Sequence, residues 1–125
     1  MENLETLIEF VLADAGHFDR NLQNKVRLAA EEVLVNVISY AYPDQSGDVT
    51  ITTEHTIGRV GLQVEISDSG APFDPLEKPD PDIDVPLEKR EVGGLGIFLV
   101  KEIADNVSYR RKDGRNILTF IKYRE

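Results

Sequence analysis

The spacing of apolar residues changes from helical to alternating along this chain, and that change constrains the fold more than any other feature. Apolar residues recur at helical intervals from Leu4 to Ala15 and from Asp19 to about Tyr40, which predicts two helices. They alternate from Val49 to His55 and from Val60 to Ile66, which predicts two strands with a turn at Gly58. The first half of the chain therefore supplies two helices followed by a pair of strands.

The second half of the chain again places a helix before two strands. Residues Leu95 to Ala104 predict a short helix, and Val107 to Arg111 and Ile117 to Tyr123 predict strands. Asp113-Gly114 lies between these strands and is a strong hairpin signal. Helices segregated from hairpin-connected strands favour an α+β two-layer sandwich. No repeat or second domain is visible, so we expect one domain over residues 1–125.

Composition limits the partners and the compartment. The chain has a formal net charge of −9 and no cysteine. A surface this acidic repels nucleic acid and anionic lipid, so we expect neither as a direct partner. The lack of cysteine excludes disulfides and fits a reducing compartment, and no leader or membrane-length apolar run is visible, which favours the cytoplasm. The charge would also repel a free nucleotide, whose binding would need Mg²⁺ and a helix N-terminus.

A glycine cluster, Gly93-Gly94-Leu95-Gly96, opens the third predicted helix. A bare backbone that runs into a helix N-terminus can bind phosphate, because free N–H groups and the helix dipole both favour an anion. Such a cluster can also do no more than turn the chain. It follows a loop rather than a strand and has no adjoining Gly-Lys-Ser/Thr, which argues against the Rossmann and P-loop motifs.

The second predicted helix carries Glu32 and Asn36 four residues apart, so the two side chains share one face. The amide oxygen of Asn36 is a hard ligand suited to Mg²⁺, and a carboxylate one turn earlier could activate a hydroxyl beside a phosphate. Considered alone, the same residues could be a solvated helix charge and a satisfied polar side chain.

The segment Asp68-Ser69-Gly70-Ala71-Pro72-Phe73-Asp74-Pro75 follows the second predicted strand. The Asp68 carboxylate could accept a hydrogen bond from an exocyclic amine, and Gly70 would let a flat ring approach the backbone. The segment could also be an ordinary turn that ends a strand. Residues Asp74 to Val92 then form a long proline-rich stretch without periodicity, and its position before the glycine cluster favours a lid.

Taken in order, these segments resemble the Bergerat-fold (GHKL) ATP-binding domains, and among them the anti-sigma-factor serine/threonine kinases of the RsbW and SpoIIAB type. Glu32 and Asn36 match the N box of that family, Asp68 to Pro75 its G1 box, and Gly93 to Val100 its G2 box. The resemblance covers roughly Leu4 to Tyr123. It implies a mixed, mostly antiparallel sheet with about three helices on one face.

The resemblance also implies a role for each matching residue. Asn36 would coordinate Mg²⁺, Glu32 would be the general base, and Asp68 would accept a hydrogen bond from the adenine amine. The remaining nucleotide-binding residues would be Gly70, Pro72, Phe73, Gly93, Gly94, Leu95, Gly96, Ile97 and, through water on the last strand, Thr119. Residues 74–92 would form the ATP lid.

The implied function is phosphorylation of a serine on a STAS-domain anti-sigma antagonist with ATP and Mg²⁺, together with binding of a sigma factor. A nucleotide-gated binding module with little kinase activity is the alternative. A histidine kinase is disfavoured, because no helical hairpin with a phospho-accepting histidine is visible. Relatives carry a strand before the first helix that supports dimerisation, and this sequence shows none, so a homodimer stays open. The position one turn after Asn36 is often basic in relatives and is Tyr40 here, with Lys101 as a possible replacement.

Overall fold

A computed structural model describes residues 4–14, 18–40, 48–77 and 94–124 of the protein. The elements in chain order are helices α1 (Leu4–Asp14) and α2 (Arg20–Tyr40), strands β1 (Val49–His55) and β2 (Gly61–Asp68), a 3₁₀ turn (Pro75–Glu77), helix α3 (Gly94–Ile103), and strands β3 (Asn106–Lys112) and β4 (Arg115–Tyr123). This order is the one that the apolar spacing predicts. None of the described helices has both the length and the apolar character needed to cross a membrane.

The four described strands form one sheet in the order β1-β2-β4-β3. Every neighbouring pair in it is antiparallel, with Asp68 opposite Asn116 between β2 and β4 and Tyr109 opposite Leu118 between β3 and β4. Because directly opposed residues point to the same face, these pairs place Asp68, Asn116, Leu118 and Tyr109 on one side of the sheet. The predicted α+β sandwich is confirmed.

The hydrophobic core lies between the helices and one face of the sheet. Along β4, buried and partly exposed residues alternate without interruption, as expected for a strand with one covered face. Leu62, Val64 and Ile66 on β2 and Phe120 on β4 are almost inaccessible to solvent. Helix α2 packs against them with a stripe of buried side chains at helical spacing: Leu22, Val26, Ala29, Ala30, Val33, Leu34 and Val37.

Element ends differ from the sequence predictions by a few residues, for local reasons. Helix α2 begins one residue later than expected, because the Asp19 carboxylate caps it by accepting the backbone N–H of Leu22 at 2.8 Å. Strand β2 continues past Ile66 to Asp68, since polar residues extend the hydrogen-bonded ladder beyond the apolar alternation. The predicted hairpin is confirmed: Asp113 and Gly114 have φ angles of 52° and 77°, as a two-residue primed turn requires.

Part of the predicted nucleotide machinery lies outside the described residues. Of the lid predicted over residues 74–92, the structure describes Asp74 and the 3₁₀ turn that follows it. Residues 78–92, Gly93 and the side chain of Tyr40 are not described. The remainder of the glycine cluster forms the first turn of α3.

Candidate functional site

A cleft opens between helix α2 and the ends of the central strands. The cleft is narrow, with a cavity volume of about 20 Å³, and the space around it opens to solvent. It is lined by residues from the helix, three strands and the loop after β2: Val33, Asn36, Val37, Ile66, Asp68, Phe73, Pro75, Tyr109, Asn116 and Leu118. Asn36 on α2 and two residues of the later segment 68–75, Asp68 and Phe73, therefore meet at one cavity.

Asp68 is held at the end of β2 by two hydrogen bonds to the same oxygen. Its Oδ1 accepts the backbone N–H of Gly70 at 2.9 Å and the side-chain Nδ2 of Asn116 at 2.9 Å. Asp68 and Asn116 are 4% and 6% exposed, so both groups of this side-chain pair are removed from bulk water. Buried polar groups require such partners, and the strand register supplies them because the two residues lie directly opposite each other.

Asn116 is a residue that the sequence analysis did not identify. Its Oδ1 accepts hydrogen bonds from the Tyr109 hydroxyl at 2.6 Å, the backbone N–H of Phe73 at 3.2 Å and the Arg111 guanidinium at 3.2 Å. Its Nδ2 donates a second bond to the carbonyl of Ala71 at 2.9 Å. The amide therefore ties the loop after β2 to strands β3 and β4.

Thr119, which the resemblance implies as an adenine contact through water, is not among the residues that line the cleft. Thr119 lies opposite Glu65 and Ser108 in the sheet, one position out of phase with Leu118 and Phe120. Side chains of neighbouring residues in a strand point to opposite faces, so Thr119 points away from the cleft that Asp68 lines. Asn116, three residues earlier, lies opposite Asp68 and lines the cleft.

Glu32 lies where α2 packs against the first turn of α3. A Cβ atom added to Gly96 would be 2.6 Å from Glu32 Oε2, so this carboxylate rests directly on the glycine backbone. A larger residue at position 96 would require the flexible carboxylate end of Glu32 to move. The N-terminal turn of α3 carries the positive end of the helix dipole, which favours the carboxylate there. The structure thus brings the second helix and the glycine cluster together.

The other predicted residues occupy varied positions. Gly70 donates to Asp68, and Phe73 lines the cleft. Pro72 is exposed beside it. Ile97 is 6% exposed, so its side chain is part of the packing under α3, and only its backbone could face a phosphate. Gly94 and Leu95 begin α3.

The opposite face of the sheet supports the end of β2. Arg115 binds Asp48 at 2.7 Å and also donates to the backbone carbonyl of Ser67 at 3.3 Å. The Ser69 hydroxyl donates to the same Asp48 carboxylate. The hydrogen bonds from Ser69 and Arg115 hold the pKa of Asp48 below its ordinary value of 3.8. Ser69, the residue after Asp68, is thereby held against Asp48, which directly precedes the edge strand β1.

The number of oxygen ligands at the cleft determines which kind of magnesium site it could form. Among the described residues there is no group of three or more acidic or histidine side chains that could hold a metal by itself. Asn36 offers a single amide oxygen at the cleft. Mg²⁺ commonly takes one or two protein oxygens and fills its remaining positions with water and substrate phosphates. Asn36 is therefore suited to a metal that arrives with a nucleotide.

Comparison with known proteins identifies the family. The model of the histidine kinase-like ATPase domain matches residues 2–122 of the chain. The chain belongs to this family. The ATPase domain is 32% identical over 113 residues to the serine/threonine-protein kinase BtrW of Bordetella bronchiseptica, a match that covers 90% of this chain and 78% of the relative. It is 26% identical over 111 residues to the serine-protein kinase RsbW of Listeria monocytogenes, covering 86% and 70%.

A solved structure supports the fold. The ATPase domain superimposes on the histidine kinase domain of a blue-light activated histidine kinase from Erythrobacter litoralis with a TM-score of 0.53 and 18% sequence identity. The match covers 82% of this chain and 44% of that one, so this chain spans less than half of the solved protein. At this identity the likeness concerns the fold alone.

Proposed function

We propose that this protein is an ATP-dependent serine/threonine kinase of the anti-sigma-factor type. The observation that carries the proposal is the convergence of Asn36, Asp68 and Phe73 on one cleft, with Glu32 against the first turn of α3. The two relatives named as serine kinases support it by their similarity over most of the chain.

The adenine end of the site would be formed by Asp68 and the loop that follows it. Both hydrogen bonds that Asp68 receives end on Oδ1, so Oδ2 is the oxygen we assign to the exocyclic amine of adenine. Phe73 and Val33 line the cleft and would provide apolar contact for the ring. Gly70 leaves the backbone beside Asp68 without a side chain, which lets a flat ring approach.

The phosphate end would be formed by α2 and α3. Backbone N–H groups of Gly94, Leu95, Gly96 and Ile97, which lack partners one turn earlier in their own helix, would donate to phosphate oxygens, and Gly93 would extend this cradle. Asn36 would hold Mg²⁺, which supplies neutralisation of the phosphate charge when bound. We assign residues 74–92 to the lid over the nucleotide and residues 1–125 to one domain.

Glu32 would act as the general base. Its carboxylate would accept the proton of the substrate serine hydroxyl while the hydroxyl oxygen forms a bond to the γ-phosphorus and the bond to the ADP oxygen breaks. The neighbouring Glu31 is less suited to this role, because Arg27 binds its carboxylate at 2.9 Å. We propose a STAS-domain antagonist as the acceptor, a sigma factor as a second partner, and the cytoplasm as the compartment.

A nucleotide-gated module is the second candidate. The cleft could bind ATP and change the affinity of a protein partner without transferring phosphate. The two candidates differ in what they require of Glu32, because a binding module needs Asn36 and Asp68 but has no use for a base.

Three variants separate the candidates. Asn36→Ala is expected to abolish Mg-ATP binding, measured by calorimetry. Glu32→Gln is expected to retain binding and to lose phosphotransfer by about 10²–10⁴-fold, measured with radiolabelled ATP and a cognate STAS protein. Glu31→Gln is the matched control and should keep phosphotransfer. If the unaltered protein binds ATP and never phosphorylates the antagonist, the kinase proposal is wrong and the binding module is favoured.

A further inference from the structure

We propose that the solvent-facing side of α2 beside Glu32 is the surface on which the acceptor protein docks. This inference rests on the proposed phosphotransfer and deepens it, because it assigns the residues that receive the acceptor and the chemistry of the contact. Leu28 and Val35 pack against apolar side chains that flank the acceptor serine. The acceptor is therefore recognised by apolar contact around its serine, not by a charged motif.

Leu28 and Val35 lie on one stripe of α2, with Glu32 between them. The three residues are spaced i, i+4 and i+7, which places their side chains on successive turns of the same side of the helix. The Glu32 carboxylate rests against Gly96, so it points toward α3, and the two apolar side chains stand beside it. A serine hydroxyl that reaches this carboxylate from solvent brings the residues around it over Leu28 and Val35.

The stripe lies on the side of α2 that is open to solvent. Helix α2 packs against the sheet, α1 and α3, and its remaining side faces outward. Leu28 and Val35 lie on that side and are each 39% exposed. A single exposed aliphatic residue is ordinary on a protein surface, and an amphipathic helix normally presents polar residues to water. Two large aliphatic side chains on either side of the proposed base instead indicate contact with a protein partner.

The charge pattern around the stripe determines the kind of partner that fits it. The chain has a formal net charge of −9, yet the surroundings of Leu28 carry little net charge. Asn24, one turn before Leu28, is exposed and uncharged. Glu31 lies beside the stripe, and Arg27 binds its carboxylate at 2.9 Å, so the two charges balance each other. The centres of protein interfaces are depleted of charged residues, and this surface therefore fits an acceptor that presents apolar side chains.

The test measures phosphotransfer to the cognate STAS protein, with Mg-ATP at saturation, in Leu28→Gln and Val35→Gln. Glutamine is a good helix former, so both variants should fold. Each is expected to raise the KM for the STAS protein by on the order of tenfold, because a large aliphatic side chain no longer packs against the partner. The kcat and the ATP dissociation constant should stay within about twofold, since a change in KM alone reports lost binding and not lost chemistry.

Ile57→Gln is the matched control. Its side chain is 100% exposed in the turn between β1 and β2, at the end of β2 opposite to Asp68. The substitution removes the same kind of exposed apolar surface at a distance from α2, so the KM for the STAS protein should not change.

An unchanged KM in both Leu28→Gln and Val35→Gln would overturn the inference. A fall in kcat with KM unchanged would also overturn it, because these residues would then act by positioning Glu32 and not by docking. Calorimetric titration of the STAS protein into each variant with Mg-ADP tests docking without phosphotransfer. If the unaltered protein binds the STAS protein but transfers no phosphate, the proposed kinase function fails, and weaker binding by both variants still supports the docking surface. If the unaltered protein does not bind the STAS protein, the docking inference is wrong.

Discussion

Gly96→Ala offers a sharp test of the proposed phosphotransfer geometry. The added methyl carbon would lie 2.6 Å from Glu32 Oε2 and 3.7 Å from Glu32 Cδ. Ordinary contact between such atoms begins near 3.4 Å, so the carboxylate oxygen has to move by about 0.8 Å. Because Glu32 is a half-buried side chain with a flexible end, it can make this movement without a shift of the backbone.

The expected effects on stability and on phosphotransfer therefore differ in size. Alanine is favoured over glycine within a helix by roughly 0.5–1 kcal/mol, and moving Glu32 off its preferred rotamer costs about 0.5–1.5 kcal/mol. These contributions oppose each other, so the free energy of unfolding should change by less than about 1 kcal/mol. A displacement near 1 Å at a reacting group, by contrast, can reduce the rate about 10²-fold.

The assay measures three quantities on the same protein: the unfolding midpoint in urea, the ATP dissociation constant, and single-turnover phosphotransfer to the antagonist. Gly96→Ala should leave the unfolding midpoint nearly unchanged and lower the rate of single-turnover phosphotransfer. In the Glu32→Gln background the same substitution should add little, because the displaced group has already lost its function. A Gly96→Ala protein that binds ATP and transfers phosphate at the original rate would refute the placement of Glu32. An additive loss in the double variant would assign the effect to the phosphate cradle.

Two further predictions concern stability. Asp48→Asn should destabilise the protein at neutral pH, and the difference in urea midpoint from the unaltered protein should shrink as the pH falls below about 4. The folded-state pKa of Asp48 is depressed, so its ion pair stabilises the fold above the ordinary pKa of 3.8, and this stabilisation is lost when the carboxylate is protonated. A difference in urea midpoint that widens in acid would contradict this assignment. Gly114→Ala should lower the free energy of unfolding by roughly 1–2 kcal/mol, since its φ of 77° is unfavourable for a residue with a side chain. Asp113→Asn is the control for that turn and should be tolerated, and equal thermal midpoints for Gly114→Ala and the unaltered protein would contradict the expected strain.

The sequence predicts the elements well because one physical signal, apolar periodicity, determines both the helices and the strands. Strand β1 matches its predicted bounds. Strand β2 begins one residue later than predicted and continues two residues past Ile66, where the periodicity stops but the ladder continues. Asp68 could be singled out because a carboxylate and one glycine, Gly70, follow the apolar alternation of β2.

Strand phase is the local signal that separates Thr119 from the residues facing the cleft. The Asp113-Gly114 turn defines the phase of β4, and counting from the apolar pair Leu118 and Phe120 places Asn116, not Thr119, on the covered face. The bonds from Tyr109 and Arg111 to Asn116 depend on the pairing of β3 with β4 and on side-chain reach, so no sequence pattern could have supplied them.

The two ends of the cleft rest on different parts of the chain. The base is assigned mainly to β2, the loop after it and the β3–β4 hairpin, with α2 alongside. The phosphates are assigned to α2 and α3, whose contact at Glu32 and Gly96 lies outside the lining of the cleft. Substitutions that reshape the hairpin end could therefore change the preferred base while the reacting groups stay in place. Such a separation makes the domain a suitable scaffold for an orthogonal kinase, one that uses a modified nucleotide which other cellular kinases ignore.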